Sequence, residues 1–249
     1  MSNMRILTLD IETSPNLGFF WGLFNQNIGI TQIVEPTKVI CYAAKWLGED
    51  EVIYRDFEEE DFLTTIWNLI DSADAVVHYN GTSFDMRHLN REFVEAGMGP
   101  PFVPKNIDLL KTVRQRFRFV SNKLDFVAGE LLNEHKEPTT FKLWWDCIIN
   151  NYDDAWNEMR AYNIQDVQLT EKLYLLLRPW ITGHPNHGLY IDNQEKPVCR
   201  NCGSEKVESR GWQKLNVASY MRYKCKDCGA NLRGRHMVQG GKKATHILS

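Results

Sequence analysis

Asp10 and Glu12 stand two residues apart in the stretch Leu7-Thr8-Leu9-Asp10-Ile11-Glu12-Thr13. An extended strand brings two carboxylates at that spacing to one side, because alternate side chains share a face. Leu7, Leu9 and Ile11 then turn the other way, into a core. Like charges that close resist ionising together unless a cation lies between them, and hard oxygen ligands at strand spacing suit Mg²⁺ or Mn²⁺. A solvent-facing edge strand with two acidic residues has the same pattern. Further acids converging on the same point would decide between the two.

Two more carboxylates invite that test. Asp85 comes after the turn Asn80-Gly81-Thr82-Ser83 and opens a helix carrying Leu89, Phe93 and Val94. The positive end of a helix dipole favours an acid there, so a simple cap is the competing reading. Asp166 lies in the longest helical pattern, Asp153 to Leu177, on a stripe with Met159, Leu169 and Leu173, and Tyr162 precedes it by one turn. A carboxylate aimed at an apolar interior costs several kcal/mol unless it is paired or ligates a metal. In a layered α/β fold such element ends meet at one edge of the sheet. Four acids there can hold two divalent ions roughly 3.5–4 Å apart, stabilising both attacking and leaving oxygens in phosphodiester hydrolysis.

A second constellation lies near the C-terminus. Cys199-x-x-Cys202 and Cys225-x-x-Cys228 are separated by 22 residues and each pair is followed by glycine. This is the spacing of a zinc ribbon, with closed S₄ coordination of one structural Zn²⁺; about 40 residues could not fold there without the metal. From Lys196 onward the chain has 12 Lys and Arg against 3 Asp and Glu, whereas the preceding 195 residues have 17 against 29. A basic module on an acidic body points to a polyanion partner. Trp212, Tyr220 and Tyr223, interleaved with Arg210, Lys214, Arg222, Arg233 and Arg235, suit nucleic-acid contact with some stacking. Docking of a protein, such as a replication or repair factor, is the alternative. Cys41 and Cys147 sit in apolar segments and read as reduced, buried thiols.

The elements that must position these groups are legible from periodicity. Residues 37–47 and 51–57 read as two strands of an antiparallel meander joined at Gly48-Glu49-Asp50, with a helix next over 58–72 that has Phe62, Ile66, Leu69 and Ile70 on one face. Residues 75–79 form a short buried strand and 106–110 the last one, with Asp108 a helix cap or a remote support to the site. His78 reads as a core-edge histidine. Further helices run over 121–132 and 141–150, the latter with Trp144 and Trp145 in the core. Between the first strand and residue 37, Phe19, Phe20, Trp21 and Phe24 either stack on nucleic-acid bases or form a lid's own small core. The expected fold class is α/β: a mixed sheet flanked by helices, plus the small zinc ribbon. The expected domains are 1–182, a linker at 183–196 whose two histidines read as part of a turn or as metal ligands, the ribbon at 197–238, and a disordered tail at 239–249. No apolar run spans a bilayer and no signal peptide is recognisable, so a soluble, cytoplasmic protein without membrane contact is expected.

In this order, Asp10-Ile11-Glu12, Asn80-x-x-x-Phe84-Asp85 and Tyr162-x-x-x-Asp166 resemble the three exonuclease motifs of the DEDDy branch of the DnaQ-like (ribonuclease H-like) 3′–5′ exonucleases. They also resemble those of the proofreading domain of family B DNA polymerases, and Lys123-Leu124-Asp125-Phe126-Val127-Ala128 is similar to the segment preceding its third motif. The match spans residues 5–178. The resemblance implies that Asp10, Glu12 and Asp166 bind two Mg²⁺ or Mn²⁺ directly, Asp10 bridging both, with Asp85 acting through water or more loosely. It implies that Tyr162 orients, or also deprotonates, the attacking water; a tyrosine of pKa about 10 is a poor base, so the metal should do most of the activation. Asn80 and Phe84 would contact the terminal nucleotides, beside Phe20 and Trp21 as stacking candidates. The implied activity is release of nucleoside 5′-monophosphates from a DNA 3′ end, most readily on single strands. An exoribonuclease of the same fold, or an inactive nucleic-acid-binding adaptor, are the alternatives. No polymerase portion accompanies the motifs, so a stand-alone nuclease is expected.

Overall fold

Strand β1 (Ile6–Thr13) lies in the middle of a five-stranded sheet, and its composition reflects that position. Ile6, Leu7, Thr8, Leu9 and Ile11 are all buried, as a strand covered on both faces requires; the edge-strand alternative is excluded. The structure is a computed structural model and describes residues 4–25, 27–102, 104–192, 196–216 and 218–239. The tail expected to be disordered lies, beyond Gln239, outside the described residues. Two compact units divide the chain, Arg5–Leu173 and Tyr174–Ser249 with Met1–Met4.

In the first unit a small antiparallel pair, β2 (Leu17–Gly18) and β3 (Ile33–Glu35), stands apart from the main sheet. The main sheet adds β4 (Val39–Trp46), β5 (Val52–Asp56), β6 (Ala75–His78) and β7 (Lys105–Asp108) in the order β5-β4-β1-β6-β7. β1 pairs antiparallel with β4 on one side and parallel with β6 on the other. Two details of register make room for chemistry. Small residues face the acids across β4, Ala43 opposite Asp10 and Cys41 opposite Glu12. β6 accompanies β1 only as far as Thr8, and the chain then turns away at Asn80, a non-glycine residue at φ +72. Beyond Thr8, β1 therefore has, among the described residues, no strand beside it on that edge, and the next helix begins there.

Helices α1 (Phe62–Asp71) and α2 (Asp85–Glu95) cover the Leu7, Leu9 and Ile11 face, burying Phe62, Ile66, Ile70, Leu89 and Phe93. α3 (Leu109–Arg116) and α4 (Leu124–Leu132) come next in the chain. α5 (Phe141–Ile148) and α6 (Asp153–Leu177) pack Leu143, Cys147, Ala155, Met159 and Tyr162 against Ile40, Cys41 and Tyr54. Cys41 and Cys147 are buried free thiols, as expected. Asp108 accepts from the Leu110 N–H at the start of α3 and also from the Asn80 N–H, so it caps one helix and fixes the turn before another. His78 is fully buried with its Nε2 against Asn106 Oδ1.

Two apolar residues depart from expectation. Trp145 is 46% exposed rather than core: α5 buries Leu143 and Cys147, one turn apart, and a residue two positions after Leu143 points to the opposite side. Val94, next to buried Phe93, is turned outward in the same way on α2.

In the second unit β8 (Val207–Lys214), β9 (Ser219–Cys225) and β10 (Asn231–Gln239) form an antiparallel sheet in the order β10-β9-β8. Residues 183–192 are more than a plain turn, with a short 3-10 helix over His187–Tyr190. His184 is buried, with Nδ1 at 2.7 Å from the Pro185 carbonyl and Nε2 at 2.8 Å from the Tyr174 hydroxyl. Both ring nitrogens are thereby used, Nδ1 as donor and Nε2 as acceptor, and burial pushes the imidazole down to about 4. His187 stacks on it at 5.9 Å.

Candidate active site

Three of the four acids meet. Ligand oxygens of Asp10, Glu12 and Asp166 lie within 4.8 Å of one another. β1 supplies the first two on one face, and α6 turns Asp166 towards them from the layer that packs on that face. Asp85, the first residue of α2, is buried beside them and accepts from the Ile11 N–H through Oδ1 at 3.2 Å. It ties α2 to β1 and stands outside the three-acid group, although its charge bears on Asp10.

The electrostatics are those of a site built for cations. Burial first, then Asp85, Asp166 and Glu12, push the Asp10 carboxyl well up. Glu12 is pushed up to about 8, mainly by burial, which Lys136 offsets in part. Asp85 is pushed up to about 7 by burial, with the N–H donors of its helix start and of Ile11 working against the shift. Asp166 Oδ1 is buried with no hydrogen-bond partner among the described residues. Clustered, desolvated carboxylates with an unsatisfied oxygen fit a hard divalent cation.

Two residues that sequence reasoning missed complete the cluster. Asn163, fully buried on α6, donates from Nδ2 to Asp10 Oδ2 at 2.8 Å. Lys136, in the connection between α4 and α5, forms an ion pair with Asp166 and lies 4.6 Å above the Tyr162 ring. Burial works against its ammonium, but Asp166 and Tyr162 outweigh it and hold the proton on. The backbone around Lys136 is anchored: its N–H donates to Asp125 Oδ1 at 2.9 Å, and the Glu137 N–H to Gln165 Oε1 at 2.9 Å. Asn163 was open to the reasoning that picked Asp166, a polar residue on the inward stripe of α6. Lys136 carries no such signal, since a connecting segment has no periodicity to betray which way a side chain points.

Tyr162 is buried with its ring edge-on to Trp144 at 6.0 Å, and burial, then Asp166, push its hydroxyl up. Trp144 also hydrogen-bonds Glu12. It lines a groove with Ser14, Leu17, Phe141, Trp145 and Ile149, which accounts for the outward Trp145. Phe84, 39% exposed, packs edge-on to His88 immediately before Asp85, and Asn80 is exposed at the turn before it. Phe20 and Trp21 are 52% and 100% exposed, with Phe19 and Phe24 exposed alongside; they form no small core of their own.

A family model described as the RNase_H superfamily matches residues 8–178. The chain belongs to the RNase H superfamily. Among solved structures, the family B DNA polymerase from the hyperthermophilic archaeon Pyrobaculum calidifontis is similar at 19% identity and a TM-score of 0.51. That match covers 71% of this chain but 25% of the polymerase, so the likeness is one of fold, confined to a quarter of the larger protein. No curated relative matches the chain. The RNase H superfamily fold is of nuclease type, and its nucleases use divalent metals. The three-acid cluster sits where β1, α2 and α6 of this RNase H fold converge, and its residues suit such metals. Among the described residues no helix is long and apolar enough to cross a membrane.

In the second unit Cys199, Cys202, Cys225 and Cys228 form, among the described residues, the other group able to hold a metal, their sulfurs all within 4.8 Å of one another. The two knuckles have the same shape. Gly203 at φ +74 and Gly229 at φ +76 each come directly after a cysteine pair, and their N–H groups donate back to the Cys199 and Cys225 carbonyls. Only glycine adopts that backbone without strain. Burial opposes ionisation of Cys225, but the Cys228 and Asp227 N–H groups and the neighbouring thiols bring it down to about 7. Four convergent thiols fit closed tetrahedral Zn²⁺.

Proposed function

We propose that this chain is a metal-dependent 3′–5′ exonuclease that hydrolyses phosphodiester bonds from the 3′ end of DNA, single strands above all, and releases nucleoside 5′-monophosphates. The observation that carries the reading is the approach of Asp10, Glu12 and Asp166 to within 4.8 Å, with Tyr162 one helical turn before Asp166. Mg²⁺ or Mn²⁺ held by these three acids would polarise the scissile phosphate and lower the pKa of the attacking water.

The chain's own residues do the rest. Asn163 fixes the rotamer of Asp10, and Trp144 that of Glu12. The Tyr162 hydroxyl keeps its proton near neutral pH, because its pKa is raised; it therefore orients water as a hydrogen-bonding partner and does not remove the proton. Lys136 is a fixed cation at the edge of the cluster, placed to offset negative charge that grows on phosphate oxygens. Phe84, directly before Asp85, and Asn80, at the turn before it, would meet the terminal nucleotides. From Pro15 to Val34 the sequence has no charged residue. An uncharged, aromatic, exposed stretch suits unpaired bases better than phosphates, and single strands are favoured on that ground. In the second unit the four cysteines would hold one structural Zn²⁺.

The test uses 5′- and 3′-end-labelled DNA and RNA oligonucleotides with Mg²⁺ or Mn²⁺, comparing wild type with Asp166→Ala. Stepwise shortening from the 3′ end, lost in the variant, is expected. If neither polymer yields mononucleotides in a divalent-dependent way, the chain is a binding adaptor and the proposal fails; trimming of RNA alone would replace the substrate.

A further inference from the structure

The sheet of β8, β9 and β10 has two chemically different faces, and strand register decides which residues lie on each. Residues opposite one another across an antiparallel pair share a face. Cys225 stands opposite Val207, and Tyr223 opposite Ser209 and Leu232, so one face supports the cysteine knuckles. Tyr220, Arg222 and Lys224 alternate to the other face.

On that second face Arg233 of β10 stands directly opposite Arg222 of β9. Arg222 in turn donates from Nη2 to the Arg210 carbonyl of β8 at 2.8 Å. Arginines from all three strands thus fall in one transverse row. Two like charges at directly opposed positions destabilise a sheet, and neither Arg222 nor Arg233 has an acidic partner among the described residues. Glu208, the acid on this face, is already engaged by Lys226 and Arg210. The Arg233 guanidinium lies over the Tyr220 ring at 4.6 Å, so two planar groups pair beside the row.

We infer that this face binds the phosphate backbone of a single-stranded nucleic acid, with the Arg222–Arg233 pair gripping phosphates and the Tyr220–Arg233 stack receiving a base. A phosphate placed between the two guanidiniums removes the repulsion that the register builds in. A duplex keeps its base faces within its own stack, and an acidic peptide has no use for a planar platform; an unpaired strand satisfies both features. The inference deepens the proposed function and rests on it for the choice of substrate class.

Binding of a fluorescent oligo-dT to the full chain, measured by anisotropy across a salt series without added Mg²⁺ or Mn²⁺, isolates this surface from hydrolysis. Each phosphate contact on a single strand contributes about 0.7 to the slope of log K against log salt, so Arg222→Ala with Arg233→Ala should lower the slope by about 1.4. Arg222→Lys with Arg233→Lys should keep the slope, and the charge-matched pair Lys105→Ala with Arg118→Ala should leave it unchanged. Zinc content checks that the unit is intact, and the Arg→Gln pair stands in if the Ala pair loses metal. An unchanged slope in the Ala or Gln pair, or an equal fall in the control, overturns the inference. A fall in slope in a protein that never shortens DNA sinks the catalytic proposal and leaves this one standing; shortening with an unchanged slope does the reverse.

Discussion

Asp166 is held by two unlike neighbours, and each gives a separate prediction at the scale of the residue. Against Asp10 and Glu12 it is a like charge; against Lys136 it is half of an ion pair. Asp166→Ala removes one corner of the cluster and should lower kcat/KM by on the order of 10²–10³-fold, the loss expected for one preorganised electrostatic group. Asn163→Ala and Lys136→Met leave the acids in place but free their side chains, and each should cost about 10–100-fold, as loss of an orienting partner does. The two are told apart by metal titration. Without the ammonium on Asp166, the Lys136 variant should need less Mn²⁺ for half-maximal rate, whereas the Asn163 variant should need more; equal requirements would remove both residues from the site.

At the scale of the element, the strand and helices that bring the acids together do so at a cost in the metal-free protein. Glu12 and Asp85 titrate at about 8 and about 7 in the folded chain, against about 4 when unfolded. Because their folded pKa values are raised, the folded state binds more protons than the unfolded state between about pH 4 and pH 8, and stability falls as pH rises through that window. The melting temperature without divalent ions should therefore be lower at about pH 8 than at about pH 5.5, and Mn²⁺ should raise it more at the higher pH, where the ligands are already deprotonated. A melting temperature that is flat with pH, or a Mn²⁺ effect greatest in acid, would contradict this. The covering layers supply the offset: Ile66→Ala, fully buried on α1, should cost about 2–5 kcal/mol by chemical denaturation.

For the whole molecule, the two units should respond to different ions. Elemental analysis should find about one zinc per chain, lost in Cys225→Ser together with the ordered signals of β8 to β10, while Mn²⁺-dependent hydrolysis persists at a reduced level. The C-terminal turn of α6 leans on residues beyond the helix. Tyr174 is fully buried and its hydroxyl pairs with His184, so a chain ending at Thr182 loses that hydrogen bond while keeping Arg178, a loss of about 0.5–1.5 kcal/mol. Ending the chain at Asn201 instead, which keeps the histidine, should lose less; equal losses would show that the pair contributes nothing.

The sequence by itself determined the elements and the chemistry they carry. Alternation placed Asp10 and Glu12 on one face of β1, helical spacing put Tyr162 and Asp166 together, and the cysteine spacing marked a second group able to hold a metal, because such periodicities are local properties of the backbone. Tertiary structure alone decided that β1 is central, that Asp85 spends one oxygen on the Ile11 N–H, that Trp145 faces outward, and that Lys136 reaches the acids from a connecting segment. It also decided that Arg222 stands against Arg233. Each of these depends on which distant segments pack together, and pairing between segments far apart in the chain leaves no repeat in the sequence from which to read it.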